Sequence, residues 1–206
     1  MSADTDPALR QGGTTPWRER LPLPAREQMD DEQRAAAQAL VDGPRKGVFG
    51  PFLPLLRTPA LLDRVAALGE TLRFKGALDA RVRELVICTA ARHVGNQFEW
   101  HMHAPLAVQA GVNAAAIDLL RQGARPQPLA DDETIAHDAC DELLRTHGLS
   151  DPTYQRAVER FGEAGVVELV TLAGYFVMVS WLMNVAHTPA QKSAGAPLPS
   201  LSLIHI

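Results

Sequence analysis

The segment FEWHMHA, residues 98–104, brings a carboxylate and two imidazoles into two turns of a predicted helix. Successive helical residues turn by about 100°, so Glu99 and His103 share one face, one turn apart. His101 points largely away from both. Side chains of these types could bind a metal ion, relay protons, or form an ordinary ion pair on the surface.

A metal site is disfavoured because Glu99 and His103 supply only two ligands, and zinc sites use three or four protein ligands. An H-x-H pair on a helix adds nothing, since zinc-binding helices space their ligands at i and i+4. The nearest further acid is Glu84. We therefore expect neither a metal nor a cofactor, and the open alternatives are a proton relay and a surface ion pair of roughly 0.2–0.5 kcal/mol.

The elements that would position these residues are helical. The 3.6-residue periodicity of apolar side chains predicts eight helices, over residues 29–43, 60–74, 79–94, 97–110, 113–122, 131–147, 152–161 and 164–185. No alternating strand pattern stands out, so the predicted fold class is all-α. Asn113 and Asp131 are predicted N-caps, and Gly111, Gly123 and Gly148 are predicted helix stops.

Two other segments bear on the candidate site. Residues 44–59 hold four prolines and two glycines among apolar residues, and so hydrophobic a loop is expected to pack on the body of the protein or to line a cavity. Pro105 lies inside helix 97–110 and cannot donate to the carbonyl of His101, which predicts a kink or a restart of the helix there.

The tripeptide ELV occurs twice, and each copy is followed by a histidine and a proline at the same distance. Glu84 precedes His103 by the same interval that separates Glu168 from His187. The constant offset between the two copies predicts a duplicated two-helix unit. The alternative is a chance likeness between two core helices.

Composition limits the classes of function. The net charge is −4 with no block of Lys and Arg, which argues against nucleic acid as a partner. Cys88 and Cys140 lie far apart and outside any C-x-x-C, which disfavours a disulfide or thiol redox centre and suits the cytoplasm. The uncharged run 169–183 is shorter than the ~20 residues of a membrane span, so we expect a helix buried in the core or in an oligomer interface.

Three regions follow from these patterns. Residues 1–24 hold four prolines with little periodicity and are predicted to be a flexible arm. Residues 25–190 are predicted to form one helical domain, and residues 191–206 a disordered tail. The last six, LSLIHI, match one reading frame of a transposon-end adaptor used in DNA library preparation, so we attribute residues 201–206 to a cloning or sequencing artefact.

Several stretches together resemble the carboxymuconolactone decarboxylase family, within the wider alkylhydroperoxidase D-like superfamily. They are RVRELVI at 81–87, NQFEWHMHAPLA at 96–107, GPFLPLLRTP at 50–59 and VVELVTLAGYF at 166–176. The resemblance covers residues 17–190, and an E-W-x-x-H motif marks one branch. It implies an alkylhydroperoxidase D-like helical domain and a homotrimer or homohexamer.

The resemblance also implies which chemistry is lost. In antioxidant members of the superfamily, a glutamate precedes a C-x-x-C motif, and a histidine comes one helical turn after the second cysteine. Placed on this sequence, the glutamate is Glu84, the histidine is His103, and the cysteine positions fall on Asn96 and Glu99. Both thiols are absent, so the resemblance implies an acid–base frame of Glu84, Glu99 and His103 without dithiol chemistry.

These observations predict a cofactorless carboxy-lyase acting on a small carboxylated lactone or β-keto acid. The hypothesis makes His103 the donor to substrate oxygen, Glu99 the proton donor or base, and Glu84 the partner that orients His103. Asn96 and Trp100 are predicted to contact the substrate, although a core role suits Trp100 equally. The alternatives are an alkylhydroperoxidase-like antioxidant, which the missing C-x-x-C disfavours, and a non-catalytic helical protein that binds a small molecule.

Overall fold

A computed structural model describes residues 18–190 and 196–199. The expectations for residues 1–17 and for LSLIHI lie outside the described residues. Within them all regular secondary structure is helical, which confirms the all-α class. After a 3₁₀ turn at Arg26–Gln28, the helices are α1 Asp31–Asp42, α2 Phe52–Leu55, α3 Pro59–Glu70 with a π-helical turn Thr71–Lys75, α4 Ala80–His93, α5 Gln97–Ala110, α6 Ala114–Arg121, α7 Asp131–Thr146 and α8 Asp151–Ala186.

Helix ends follow the predicted chemistry in part. The Asn113 side chain caps α6 by accepting a backbone N–H, and Gly111 ends α5 in the left-handed region at φ 111°. The prediction of Asp131 as an N-cap is wrong, since it is the first residue of α7. Helix α7 ends on His147 at φ 65°, one residue before the predicted stop Gly148.

Helix α8 contradicts the predicted internal duplication. Its backbone leaves helical geometry at Gly162, which separates the two helices predicted on either side of that residue. If the repeat were real, the turn at 94–96 between α4 and α5 would have a counterpart at 178–180. Those residues lie inside α8 and form no turn. Glu168 also differs from Glu84, because it accepts hydrogen bonds from the backbone N–H groups just before α4. The second ELV therefore belongs to one long helix and not to a second hairpin.

The core is organised around α4. Residues 85–88 of this helix are fully buried, and α4 packs against α5 on one side and against α7 and α8 on others. Such central placement requires apolar side chains on nearly the whole circumference of the helix. The few polar groups that α4 buries, Glu84 among them, therefore need partners inside the protein.

By length and composition alone, α8 could cross a membrane: its most apolar window has a mean hydropathy of 1.8. A buried helix of a globular core passes the same test, and 56% of that window is buried in the protein. Side chains such as Leu169, Leu172 and Met183 lie in the core against α4 and α7. Of the two expected placements of this segment, in the core or in an oligomer interface, the structure confirms the core for the buried side of α8.

Two terminal expectations need correction. Of the tail predicted to be disordered, residues 196–199 pack on α5: Leu198 is buried, and its backbone N–H and carbonyl both bond to the Gln97 side chain. Of the predicted flexible arm, Arg20 is anchored to the end of α8 by a backbone hydrogen bond to Ala186. In both segments a neighbouring helix satisfies backbone hydrogen-bonding groups. The Gln97 side chain on α5 does so for Leu198, and the Ala186 carbonyl at the end of α8 does so for Arg20.

Candidate functional site

Helices α4 and α5 lie side by side and bring Glu84, Glu99 and His103 together. The His103 imidazole contacts a carboxylate through each nitrogen: Nδ1 lies 2.6 Å from Glu84 Oε2, and Nε2 lies 3.3 Å from Glu99 Oε2. The predicted proximity of Glu84 and His103 is confirmed. All three residues are 3–6% exposed, so the alternative of an ion pair on the surface is wrong.

Local sequence explains this arrangement. The V-G-N turn at residues 94–96 reverses the chain, with Gly95 at φ 67°, and Asn96 caps α5 by accepting the backbone N–H of Glu99. The i, i+4 spacing then places Glu99 and His103 on one face. His101 points elsewhere as predicted, with Nδ1 2.7 Å from the Gln97 carbonyl. Of the two predicted effects of Pro105, a kink or a restart, the restart is wrong, because α5 continues through this residue.

The two carboxylates fix the charge of the imidazole. Burial alone would lower the pKa of His103, but hydrogen bonds and charge attraction from Glu84 and Glu99 raise it above its usual value. Burial alone would raise the pKa of Glu84, but the contact with His103 and the positive charges of Arg73 and Arg83 lower it. The pair Glu84–His103 therefore favours carboxylate and imidazolium.

Glu99 and His103 form part of the wall of a small, partly open cavity, whereas Glu84 contacts His103 and is not in this wall. The apolar part of the wall comes from the loop before α3, from α5 and from α8, and includes Phe49, Phe52, Phe98, Met102, Phe176 and Val179. The prediction that the hydrophobic loop 44–59 lines a cavity is confirmed. The Phe176 ring meets the imidazole edge-to-face at 5.1 Å.

The cavity is small, with a volume of about 40 Å³. A site needs about 10–15 Å³ of such volume for each water molecule, so this cavity holds a few waters or a group of carboxylate size. A ligand larger than this volume would require side chains of the wall to move. Among the described residues, no set of three or more His, Cys, Asp or Glu side chains is arranged to hold a metal ion.

Three polar residues of the cavity wall were missed by the sequence analysis: Arg45, Arg73 and Tyr175. Burial raises the pKa of Tyr175 to about 12, against the lowering effect of the nearby positive charge of Arg45. Tyr175 is in the VVELVTLAGYF stretch that carries part of the family resemblance, which was an available signal. The two arginines lie in no motif.

Asn96 and Trp100 are not in the cavity wall, which corrects their predicted role in contacting substrate. Asn96 is fully buried, and its side-chain amide donates to the Ser180 carbonyl and to Asn184 while its oxygen caps α5. All its hydrogen-bonding groups are thus used within the protein. Trp100 packs in the core between α4, α5 and α6, and its indole N–H donates to the Ala196 carbonyl.

Both cysteines are free and fully buried. Burial raises the pKa of the Cys88 thiol well above its ordinary value, and the negative charges of Glu84 and Glu99 raise it further. Burial likewise raises the pKa of the Cys140 thiol. Thiolate is the form that attacks peroxides and disulfides, so neither cysteine is set up for thiol chemistry.

Comparison with known proteins supports the family resemblance. The model of the carboxymuconolactone decarboxylase family matches residues 59–128, which include the whole Glu84–His103–Glu99 group. No curated protein matches the chain. Solved structures that are similar in fold include the following three.

The first is the alkylhydroperoxidase AhpD core of an uncharacterised peroxidase-related protein from Ralstonia eutropha JMP134. It is 15% identical, with a TM-score of 0.68, over 86% of this chain and 95% of that one. The second is the debrominase Bmp8 in complex with 2,3,4-tribromopyrrole. It is 9% identical, with a TM-score of 0.62, over 83% of this chain and 91% of that one. The third, a protein of unknown function from Agrobacterium tumefaciens, is 13% identical, with a TM-score of 0.58, over 68% and 96%. At these identities the likeness establishes the alkylhydroperoxidase D-like fold and leaves the reaction open.

Proposed function

We propose that this chain, whose residues 59–128 match the carboxymuconolactone decarboxylase family, is a cofactorless acid–base carboxy-lyase. Its substrate would be a small carboxylated lactone or β-keto acid. The observation that carries the proposal is the single imidazole of His103 held between the carboxylates of Glu84 and Glu99 at a cavity wall. Such a group can hold and release a proton where little water is present.

The proposed reaction breaks the bond between the carboxylate carbon and its neighbour. The electron pair moves toward the β-carbonyl oxygen and produces carbon dioxide and an enolate. His103 Nε2–H would donate to that oxygen as its negative charge develops. The 3.3 Å separation from Glu99 is long for a hydrogen bond, so this N–H is weakly engaged and available to a substrate.

The enolate carbon then needs one proton. Glu99 acts as a carboxylate toward the His103 imidazolium, so it would take the Nε2 proton and pass it to the carbon. One proton is consumed per carbon dioxide released, and His103 would recover it from water after product leaves. Glu84 would act as a positioning residue, because it contacts only the far nitrogen of the imidazole and holds Nδ1–H in place. The same frame lacks an accessible thiol, which disfavours the antioxidant alternative.

The test is a screen of purified protein against β-keto acids and carboxylated lactones, with carbon dioxide release as the readout. Glu99→Gln and His103→Ala should each lower kcat by roughly 10²–10⁴, as expected for a lost general acid or hydrogen-bond donor. Glu159→Gln, an exposed change on α8, is the matched control and should leave turnover unchanged. Thiol-dependent peroxide reduction that survives His103→Ala would contradict the proposal. Tight binding without turnover of any acid would favour the non-catalytic alternative.

We also propose that the protein is a homo-oligomer, a trimer or hexamer by family resemblance. Helix α8 exposes a line of apolar side chains at helical spacing, in which Val167, Trp181 and Val185 are each at least 60% exposed. A continuous exposed apolar stripe of this kind is typical of an interface. Light scattering should give a multiple of the 22.3 kDa chain mass, and Trp181→Glu should lower the measured mass. A monomer at micromolar concentration would contradict this.

The free cysteines fit a reducing compartment, and we place the protein in the cytoplasm.

A further inference from the structure

The tail segment at residues 196–199 has the sequence A-P-L-P and lies against α5 and α6. Ala196 and Leu198 each precede a proline, and a residue before proline is disfavoured in a helix and favours extended backbone. Backbone of this kind forms no hydrogen bonds within itself, so its polar groups bond either to water or to other parts of the protein. The partners of these groups therefore show whether the segment is bound or only solvated.

Side chains of α5 and α6 donate hydrogen bonds to three successive carbonyls of the tail: Trp100 Nε1 to Ala196 at 3.1 Å, Arg121 Nη1 to Pro197 at 3.4 Å, and Gln97 Nε2 to Leu198 at 2.8 Å. The Gln97 oxygen also accepts the Leu198 N–H at 3.0 Å. One amide side chain thus pairs with both backbone groups of Leu198, as a neighbouring β-strand would. Proline has no N–H, so the single N–H of residues 197–199 has its partner in Gln97.

The Leu198 side chain fills an apolar pocket below this backbone. It is 3% exposed and belongs to the core cluster between α4, α5 and α6, together with Trp100, Ile117 and Leu120. Proteins that bind extended peptides combine these two features, because hydrogen bonds to the main chain give affinity and a side-chain pocket gives specificity. The prolines on either side of the leucine keep the backbone extended before it binds, which reduces the entropy lost on binding.

The groove continues beyond the bound residues and is open there. Next to Ala196 it has a volume of about 420 Å³. The apolar part of its wall comes from Trp100, Ala104, Pro105, Val108, Ala114 and Ile117. A methyl group such as that of Ala196 covers little of this wall, and Val108 remains 41% exposed. A ligand with a larger apolar residue before the first proline would bury more of the wall and bind more tightly than the tail does.

We infer that the groove between α5 and α6 is a docking site for an extended segment of a partner protein in which a large apolar residue is followed by Pro-Leu-Pro. The tail is its displaceable occupant in the isolated chain. A segment of the required form also occurs at residues 21–24, L-P-L-P, where Leu23 is 47% exposed. The groove is separate from the cavity of Glu99 and His103, so the inference does not depend on the proposed reaction.

Competition for the groove in the full chain tests the inference. Leu198→Asp places a charge in the apolar pocket and should release the tail. The probes are fluorescein-labelled peptides of sequence GLPLPS, GAPLPS and GAPAPS, with binding read by fluorescence anisotropy. The Leu198→Asp chain should bind GAPLPS, and the wild-type chain should bind it more weakly, because a tethered tail competes at an effective concentration in the millimolar range. GLPLPS should bind several-fold more tightly than GAPLPS, and GAPAPS about 10- to 100-fold more weakly, the factor expected for a buried leucine side chain.

Two further measurements separate docking in the groove from adsorption elsewhere. The indole N–H resonance of Trp100, assigned by its loss in Trp100→Phe, should move in Leu198→Asp and return toward its wild-type position when GAPLPS is added. Gln97→Ala in the Leu198→Asp chain should weaken GAPLPS binding about 10-fold, because two hydrogen bonds to the ligand are lost. Gln38→Ala, an exposed change on α1, is the matched control and should leave binding unchanged.

Failure of the Leu198→Asp chain to bind GAPLPS at about 1 mM peptide would overturn the inference, because the tail would then be a fixed part of the core and not a ligand. Equal affinity for GAPLPS and GAPAPS would overturn it as well, and so would an unmoved Trp100 resonance in Leu198→Asp. Equal affinity for GLPLPS and GAPLPS would refute the role of the open part of the groove. A mass increase of Leu198→Asp in light scattering that Leu23→Asp removes would support the site and identify a second copy of this chain as the partner.

Discussion

Replacing Glu84 by Gln should lower the pKa of His103, because it removes the closer of the two charges that hold the imidazolium. The 2.6 Å contact between His103 Nδ1 and Glu84 Oε2 is buried on both sides. A hydrogen bond to a charged partner contributes about 1.5–3 kcal/mol. One pH unit in a pKa corresponds to about 1.4 kcal/mol, so the pKa of His103 should fall by about 1–2 pH units in Glu84→Gln.

The assay is an NMR titration of the imidazole resonances, assigned by their loss in His103→Ala. Glu99→Gln provides a graded comparison, since its carboxylate is 3.3 Å from Nε2 and should cause a smaller decrease. Glu159→Gln is exposed on α8 and should cause none. An unchanged or raised pKa of His103 in Glu84→Gln would refute the reasoning, because the carboxylate would then not be what stabilises the imidazolium.

The same pair makes stability depend on pH. Because folding lowers the pKa of Glu84, this carboxylate stabilises the fold above about pH 4.3, and the stabilisation is lost as the pH falls through the pKa of Glu84 in the folded protein. Because folding raises the pKa of His103, the imidazolium stabilises the fold fully below about pH 6.5, and this stabilisation is lost as the pH rises through the pKa of His103 in the folded protein. In urea titrations, the unfolding free energy lost in Glu84→Gln should thus be largest between these limits, and a loss that does not vary with pH would contradict it. The double change Cys88→Ala with Cys140→Ala should cost about 1–2 kcal/mol of stability, measured by urea unfolding, and little turnover, because both thiols fill the core. Turnover that falls with the cysteines would count against the acid–base frame. Gly69→Ala should cost about 1–3 kcal/mol of stability, because its Cβ would overlap the Tyr175 hydroxyl and lie 3.0 Å from Arg45 Nη2. The measurement is thermal unfolding, and Gly148→Ala, with open space around it, is the control.

The hairpin that carries the site could be predicted because its information is local. Helical periodicity, the Gly95–Asn96 turn and the i, i+4 pair Glu99–His103 are each written in a few neighbouring residues. The prediction of a second hairpin could have been rejected from equally local information. Residues 178–180 read M-V-S, with no glycine or proline to end a helix, whereas residues 94–96 read V-G-N.

The errors at Asn96 and Trp100 were avoidable. Asn96 stands directly before a helix with Glu99 three residues later, which is the pattern of an N-cap. Trp100 follows Glu99, and consecutive helical residues diverge by about 100°. In both cases the position matched a family motif, while the local helix chemistry pointed to a structural role.

The arginine pair could not be found from sequence. Arg45 comes from an irregular loop and Arg73 from a π-helical turn beyond α3, and no spacing rule connects them. Their convergence depends on how that loop and α3 pack over α5 and α8. An acid stands three residues before each arginine, Asp42 and Glu70, and only coordinates reveal that the Nε atoms of Arg45 and Arg73 are buried without a hydrogen-bond partner.

Two residues of this chain separate its site from the dithiol site of the antioxidant family members. By resemblance, Asn96 and Glu99 stand at the two cysteine positions of the antioxidant members. Asn96 has become a cap that fixes the start of α5 and ties it to α8. Glu99 places a carboxylate next to the imidazole that Glu84 already contacts. A thiol pair exchanges electrons, whereas a carboxylate beside an imidazole exchanges only protons. In this chain the Glu84–His103 contact favours the imidazolium and so keeps a proton at Nε2, which lies toward Glu99 in the cavity wall.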